Sequence, residues 1–197
     1  MPPKVKVTKE QIVRTAMELV RSSGLQAVNA RNIAAQLGCS TQPVFSNFAN
    51  MEELHRQVVA EAGSLCQEYI RREVESGAFP AYKASGMAYI RFAKEERELF
   101  KLLYMCDRGG ELIPENGELS NRMEAIVQDN TGLGRQETKL FHLEMWAFVH
   151  GIATMFATGY LDLSWELVSK MLTDVYQGLC KQYAVEGSLW KPYGSKI

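Results

Sequence analysis

The stretch Ile33–Phe48, IAAQLGCSTQPVFSNF, decides how the chain folds. Ile33, Ala34 and Leu37 repeat at helical spacing, and Gly38 then breaks the pattern. A second apolar pair, Val44 and Phe48, follows four residues apart on what reads as another short helix, from about Ser40 to Phe48. Two helices that meet at a tight turn need a small residue at their crossing, a glycine at the turn and an apolar anchor beyond it. Ala34, Gly38 and Val44 occupy those places. Pro43 does not contradict a helix here. If Ser40 or Thr41 is the cap, Pro43 falls in the first turn, where its missing N–H costs little and its fixed φ is already helical.

The flanking sequence is helical as well. Thr8 followed by Gln11 is a capping-box start, and Ile12, Ala16, Leu19 and Val20 share one face until Gly24. Asn29 can cap the helix that holds Ile33. Beyond Phe48, a long helix from about Met51 carries Leu54, Val58, Ala62, Leu65 and Tyr69 on one face. Gly77 and Pro80 punctuate the chain before a helix with Met87, Ile90 and Phe92, which breaks near Lys94. The segment ERELFKLLYM leads into the turn-rich DRGGELIPENG, followed by a polar amphipathic helix at about 118–130. Two long apolar helices, at about 135–159 and 164–184, close the chain. With strand-like alternation scarce, the expected fold is all-α with about nine helices. A three-helix head at 1–52 precedes a larger helical domain at 53–197.

Charge separates the same two parts. Over residues 1–60, Lys4, Lys6, Lys9, Arg14, Arg21, Arg31 and Arg56 face only Glu10, Glu18, Glu52 and Glu53, a local charge of +3. The whole chain is at −1, which leaves −4 for the remainder. A basic head on an acidic body suits contact between the head and a polyanion. No run approaches the ~18–20 uninterrupted apolar residues of a membrane span, and the N-terminus lacks an apolar signal-like core. A cytoplasmic protein is expected. Cys39, Cys66, Cys106 and Cys180 are scattered, without zinc-ligand spacing, so free thiols are expected and neither a metal nor a cofactor.

The run from the first helix through GLQAVNARNIAAQLGCSTQPVFSNFANMEELHRQVV resembles the N-terminal domain of TetR-family transcriptional regulators over about residues 8–60. Gly24, Ile33-Ala34, Leu37-Gly38, Ser40, Phe45, Phe48 and Glu52-Glu53-Leu54 carry the resemblance. It implies a homodimer that binds a palindromic operator in double-stranded DNA, with residues 40–48 in the major groove, and that a small-molecule effector releases. Its departures from the family are in charge. Phe45 stands where the family usually has a phosphate-bonding tyrosine, and Met51 where it usually has lysine. No lysine or arginine lies between Arg31 and Arg56.

The DNA-contacting set expected on this basis is Lys4, Lys6, Arg31, Ser40, Thr41, Gln42, Pro43, Phe45, Ser46 and Asn47. Within it, Gln42 and Asn47 suit bidentate pairing with adenine, and Thr41 a thymine methyl. Helices five to eight would enclose the effector, with Met87, Arg91, Tyr104, Met123, Trp146 and His150 as candidate lining. Phe148, Ile152, Met155, Phe156, Leu167, Met171, Val175 and Leu179 make the last two helices too apolar for a monomer's surface, and they are the expected dimer interface.

Three other classes were weighed. The only histidines, His55, His142 and His150, form no catalytic or zinc motif, so no catalytic residue is expected. A thiol-based redox sensor would use Cys39 or Cys106. A helical protein-interaction module would bind no duplex at all.

Overall fold

The computed structural model describes residues 7–106 and 118–183. Lys4, Lys6 and the turn-rich segment at 107–117 lie outside that range. Among the described residues there are nine α-helices and no strand. They are α1 (Lys9–Ser23), α2 (Ala30–Gln36), α3 (Gln42–Asn47), α4 (Met51–Ser76), α5 (Ala81–Glu95), α6 (Arg97–Tyr104), α7 (Glu118–Thr131), α8 (Arg135–Thr158) and α9 (Trp165–Gln182). The chain forms two compact units, Met1–Leu65 with Glu96–Cys106, and Cys66–Glu95 with Asp107–Ile197.

The first unit is built on α1. Its start is the capping box seen in the sequence: Gln11 N–H donates to Thr8 Oγ1, while Thr8 N–H donates to Gln11 Oε1. Gly24 ends it at φ 75°, a left-handed value that a side chain would strain, and a short 3₁₀ turn at Leu25–Ala27 follows. Asn29 caps α2 by accepting from Asn32 N–H at 3.0 Å. Ile12, Ala16, Val20, Ile33, Val44, Phe48, Leu54 and Val58 are buried. Each full burial of such a side chain contributes about 1.5–3 kcal/mol, so the short α2 and α3 are held by packing and not by intrinsic helicity.

Helix α6 belongs to this unit too. It packs along α1 and buries Leu99 and Phe100. Arg21 clasps Glu96 with two parallel bonds, at 2.8 and 3.0 Å. Residues 53–65 and 96–106 therefore group with the head, whereas the sequence reading placed them in the second domain.

In the second unit, α5 and α8 form the main contact, joined by α7 and α9. Tyr82 meets His142 and Tyr89 meets His150, so the partners advance together along both helices and α5 and α8 run parallel. Gly86 lies between these two pairs on α5. A Cβ there would come within 3.1 Å of Leu172 and 3.4 Å of Val149, so the missing side chain permits the close approach of α8 and α9. Tyr82, Met123, Val127, Phe141, Met145, Tyr176 and Cys180 form a buried cluster, with Val175 and Leu179 packed against it. Helix α8 is long and apolar enough by length and composition to cross a membrane, yet Phe141, Met145, Val149, Ile152 and Phe156 are buried within the unit.

Candidate nucleic-acid interface and helical body

Helix α3 is positioned from below. Gly38 turns the chain at φ 63°, and Cys39 N–H closes the end of α2 on Ala34 O at 3.0 Å. Thr41 is the N-cap by position, although its hydroxyl makes no capping bond, and Pro43 sits in the first turn as expected. Val44 and Phe48 anchor the inner face, which leaves Gln42, Phe45 and Ser46 on the outside. Phe45 is 55% exposed. Arg31 and Ser40 are also exposed, while Thr41, Pro43 and Asn47 are half-buried.

Two polar side chains on α3 are already engaged. The Ser46 hydroxyl donates to Gln42 O at 2.9 Å. The Asn47 amide nitrogen donates to Pro43 O at 2.8 Å and to Val7 O at 3.4 Å. Since both neighbours are carbonyl oxygens, only the orientation with nitrogen toward them makes bonds. Bidentate adenine recognition needs that N–H₂ as a donor. In this structure its donors are turned to carbonyls inside the unit, so pairing with adenine would require the Asn47 amide to turn outward.

Sequence reasoning overlooked how the helix is seated. Lys9 reaches from α1 to lie 4.8 Å from the Phe48 ring centroid and 3.3 Å from Glu53. Glu53 Oε2 in turn accepts Ala49 N–H at 2.8 Å. That N–H and the amine beside Glu53 hold its carboxyl below the ordinary carboxylate range. Lys9 is thus part of the head's frame. Glu53, three residues after Asn50 and near Lys9's helix face, was legible only as an ordinary first-turn carboxylate.

The proposed effector residues divide between the units. Tyr104, packed on Phe100 at 5.1 Å, belongs to the first unit, and the other five belong to the second. Met87 and Met123 are buried core residues. Arg91 lies 3.6 Å from Glu73 and 4.8 Å from the Trp165 ring centroid. Trp146 stacks on His150 at 4.8 Å, and His150 Nδ1 meets the Tyr89 hydroxyl at 3.0 Å. About two turns away on the same helices, Tyr82 pairs with His142 Nδ1 at 2.9 Å. Burial pushes both histidines below the usual imidazole range and the Tyr82 phenol up. The spacings were visible, seven residues between the tyrosines and eight between the histidines, but not the pairing. Lys83 is buried, donates to Thr173 Oγ1 at 2.8 Å, and is pushed downward by desolvation.

Of the eight residues expected at a dimer interface, Ile152 and Phe156 are buried within the second unit and so pack its core; Phe156 stacks on Trp165 at 5.8 Å. Val175 and Leu179 lean on the same core. Phe148, Met155 and Met171 are half-buried, and Leu167 is exposed. The outward apolar stripe of α8 is instead Leu140, Leu143 and Ala147. The four thiols are free, with Cys66 and Cys180 buried, Cys39 half-buried and Cys106 exposed. Among the described residues no cluster of three His, Cys, Asp or Glu side chains is placed to hold a metal ion.

The described residues thus hold a helix-turn-helix, α2 and α3, in the first unit and an all-α second unit. Residues 82–175 match the family model of the tetracyclin repressor-like C-terminal domain, which supports the resemblance to the TetR family. A protein of unknown function from Rhodococcus sp. RHA1 shares the fold with a TM-score of 0.69 at 21% identity, over 92% of this chain and 98% of its own. A TetR-like transcriptional regulator from the same organism superposes with a TM-score of 0.62 at 14% identity, over 94% of this chain and 99% of its own. No curated protein matches the chain.

Proposed function

We propose that this chain is a TetR-family transcriptional repressor, acting in the cytoplasm as a homodimer on a palindromic operator and released by a small-molecule effector. The observation that carries the reading is α3 itself. It is a short helix anchored by Val44 and Phe48, with Gln42, Phe45 and Ser46 turned outward. That face is neutral. Gln42 would pair with adenine, and the exposed Phe45 ring would lie against a thymine methyl, so the half-site is A·T-rich at its centre. Arg31 and the lysines before Val7 supply the cationic contact to phosphate. A second copy would bring two reading helices about one DNA turn, ~34 Å, apart. The outward stripe Leu140, Leu143 and Ala147 on α8, with Leu167 on α9, supports such a partner. The effector would act within the helical body, and α4, continuous from Met51 to Ser76, would carry the change toward the head. By linkage, DNA and effector weaken each other equally.

Selection from a random duplex pool, followed by salt titration of the winner, tests this. The expected result is a palindrome with A·T pairs under α3 and a shallow salt dependence. Gln42→Ala should cost about 1–3 kcal/mol at one base position and little elsewhere. A log–log salt slope as steep as about −8 would contradict so neutral a reading face. No enrichment at low salt would remove DNA as the partner and favour a protein-interaction module.

A further inference from the structure

Phe45 is the one exposed aromatic side chain among the described residues of the first unit. Its backbone is firmly held. Val44 beside it and Phe48 three residues on are both buried, and Phe45 N–H donates to Thr41 O at 3.4 Å. Pro43 fixes the turn that precedes it. The ring is thus carried at a set place on the outer face of α3, beside Gln42 and Ser46.

Its neighbours narrow what the ring can recognise. Ser46 donates its hydroxyl hydrogen to Gln42 O at 2.9 Å, and no lysine or arginine lies between Arg31 and Arg56. Helix α3 therefore brings no cation to pair with guanine. A phenyl ring carries no hydroxyl, amide or charge with which to tell the O4 of thymine from the N4 amine of cytosine. It responds to carbon surface instead. In the major groove that surface is the methyl on carbon 5 of the pyrimidine, which thymine carries and which cytosine and uracil lack.

We propose that Phe45 determines specificity for a 5-methylpyrimidine: at the base pair it covers, it reads the carbon-5 methyl group and not the identity of the base. This rests on the proposed function, in which α3 lies in a major groove. The consequence is that 5-methylcytosine stands in for thymine at that pair, so methylation of a cytosine there turns a weak site into a strong one. Burial of one methyl group changes affinity about fourfold per half-site, and about fifteenfold over a palindrome.

Selection with the full-length protein from two random duplex pools, one built with thymidine and one with deoxyuridine, tests this. The thymidine pool should yield a palindrome, and the deoxyuridine pool weaker binders. On the winning duplex, replacing thymidine by deoxyuridine one pair at a time should lower affinity about fourfold at one pair of each half-site. With C·G placed at that pair, 5-methylcytosine should bind better than cytosine by a similar factor. Each comparison changes one methyl group and leaves the opposite purine in place, so the contact of Gln42 to adenine drops out of it. In Phe45→Ala both ratios should fall to about one, whereas Phe45→Leu, which keeps an apolar side chain, should retain part of each. Phe45 is already more than half in water, so neither substitution empties the core. Each ratio compares two duplexes on one protein sample, so any loss of active protein cancels.

Equal affinity for thymidine and deoxyuridine duplexes at every position would overturn the proposal and leave DNA binding intact. A methyl effect that survived in Phe45→Ala, or one seen with thymine and absent with 5-methylcytosine, would overturn it as well. If neither pool yielded an enriched duplex, the proposed function would fall and the methyl reading with it.

Discussion

At the residue scale, hydrogen bonding decides what a polar side chain is free to do. Gln42 and Asn47 are both amides on α3, and composition treats them alike. One is exposed, and the other donates to two carbonyls. The difference arises from the packing of α1 against α3, which no local pattern encodes. The same holds for His142 and His150. Their place on an apolar helix was legible, but not the Tyr82 and Tyr89 hydroxyls that meet them. Burial lowers the affinity of both rings for a proton relative to the unfolded chain. The unfolded state therefore binds more protons as pH falls through about 6.5, the ordinary imidazole value. Their neutral-state stability is fully present above that value and declines as pH falls toward the folded-state pKa, below which it changes no further. Urea midpoints measured from pH 7.5 to 5 should decline, and His142→Gln should flatten that decline. An equal decline in His142→Gln would show that other groups govern the acid limb.

At the element scale, the helices were readable because caps and apolar periodicity agree with the final packing. Thr8, Asn29 and Gly24 all do what their residue types suggest. Glycines of the second unit divide by role. Gly159 is the left-handed C-cap of α8 at φ 71°. A close helix approach is made at Gly86 on α5, a position without any special sequence signal. Two effects compete in Gly86→Ala. Alanine favours the helix by about 1 kcal/mol, while overpacking costs about 1–3 kcal/mol. Leu172 and Val149 are both buried, so neither can swing aside freely, and the packing effect should win. Denaturant unfolding should show a net loss of about 1 kcal/mol. A gain would mean that Leu172 relaxes without cost. The grouping of α6 with α1 was also hidden, because the Arg21–Glu96 pair spans 75 residues of sequence.

At the scale of the whole molecule, burial separates apolar residues that build the protomer from those available to a second copy. Apolar content alone could not make that division. It ranked Ile152 and Phe156 beside Leu167, although the first two are enclosed within the unit and the third is exposed. Leu140 and Leu143, which composition gave no reason to set apart from their neighbours, are 49% and 48% exposed. They lie with Ala147 on one side of α8, and Gly151, one turn further along, has open space where a Cβ would stand. Leu143→Lys should leave the protomer's stability nearly unchanged, since its side chain is already half in water. In a symmetric dimer the same change occurs twice at one seam. Losing about 2 kcal/mol of burial per copy would raise the dissociation constant about a thousandfold. For the proposed homodimer, sedimentation velocity across a concentration series should then show the variant as a monomer where wild type is a dimer, with affinity for the proposed operator falling in parallel. A variant that remains dimeric would move the seam off this face of α8, and with it the spacing of the two reading helices.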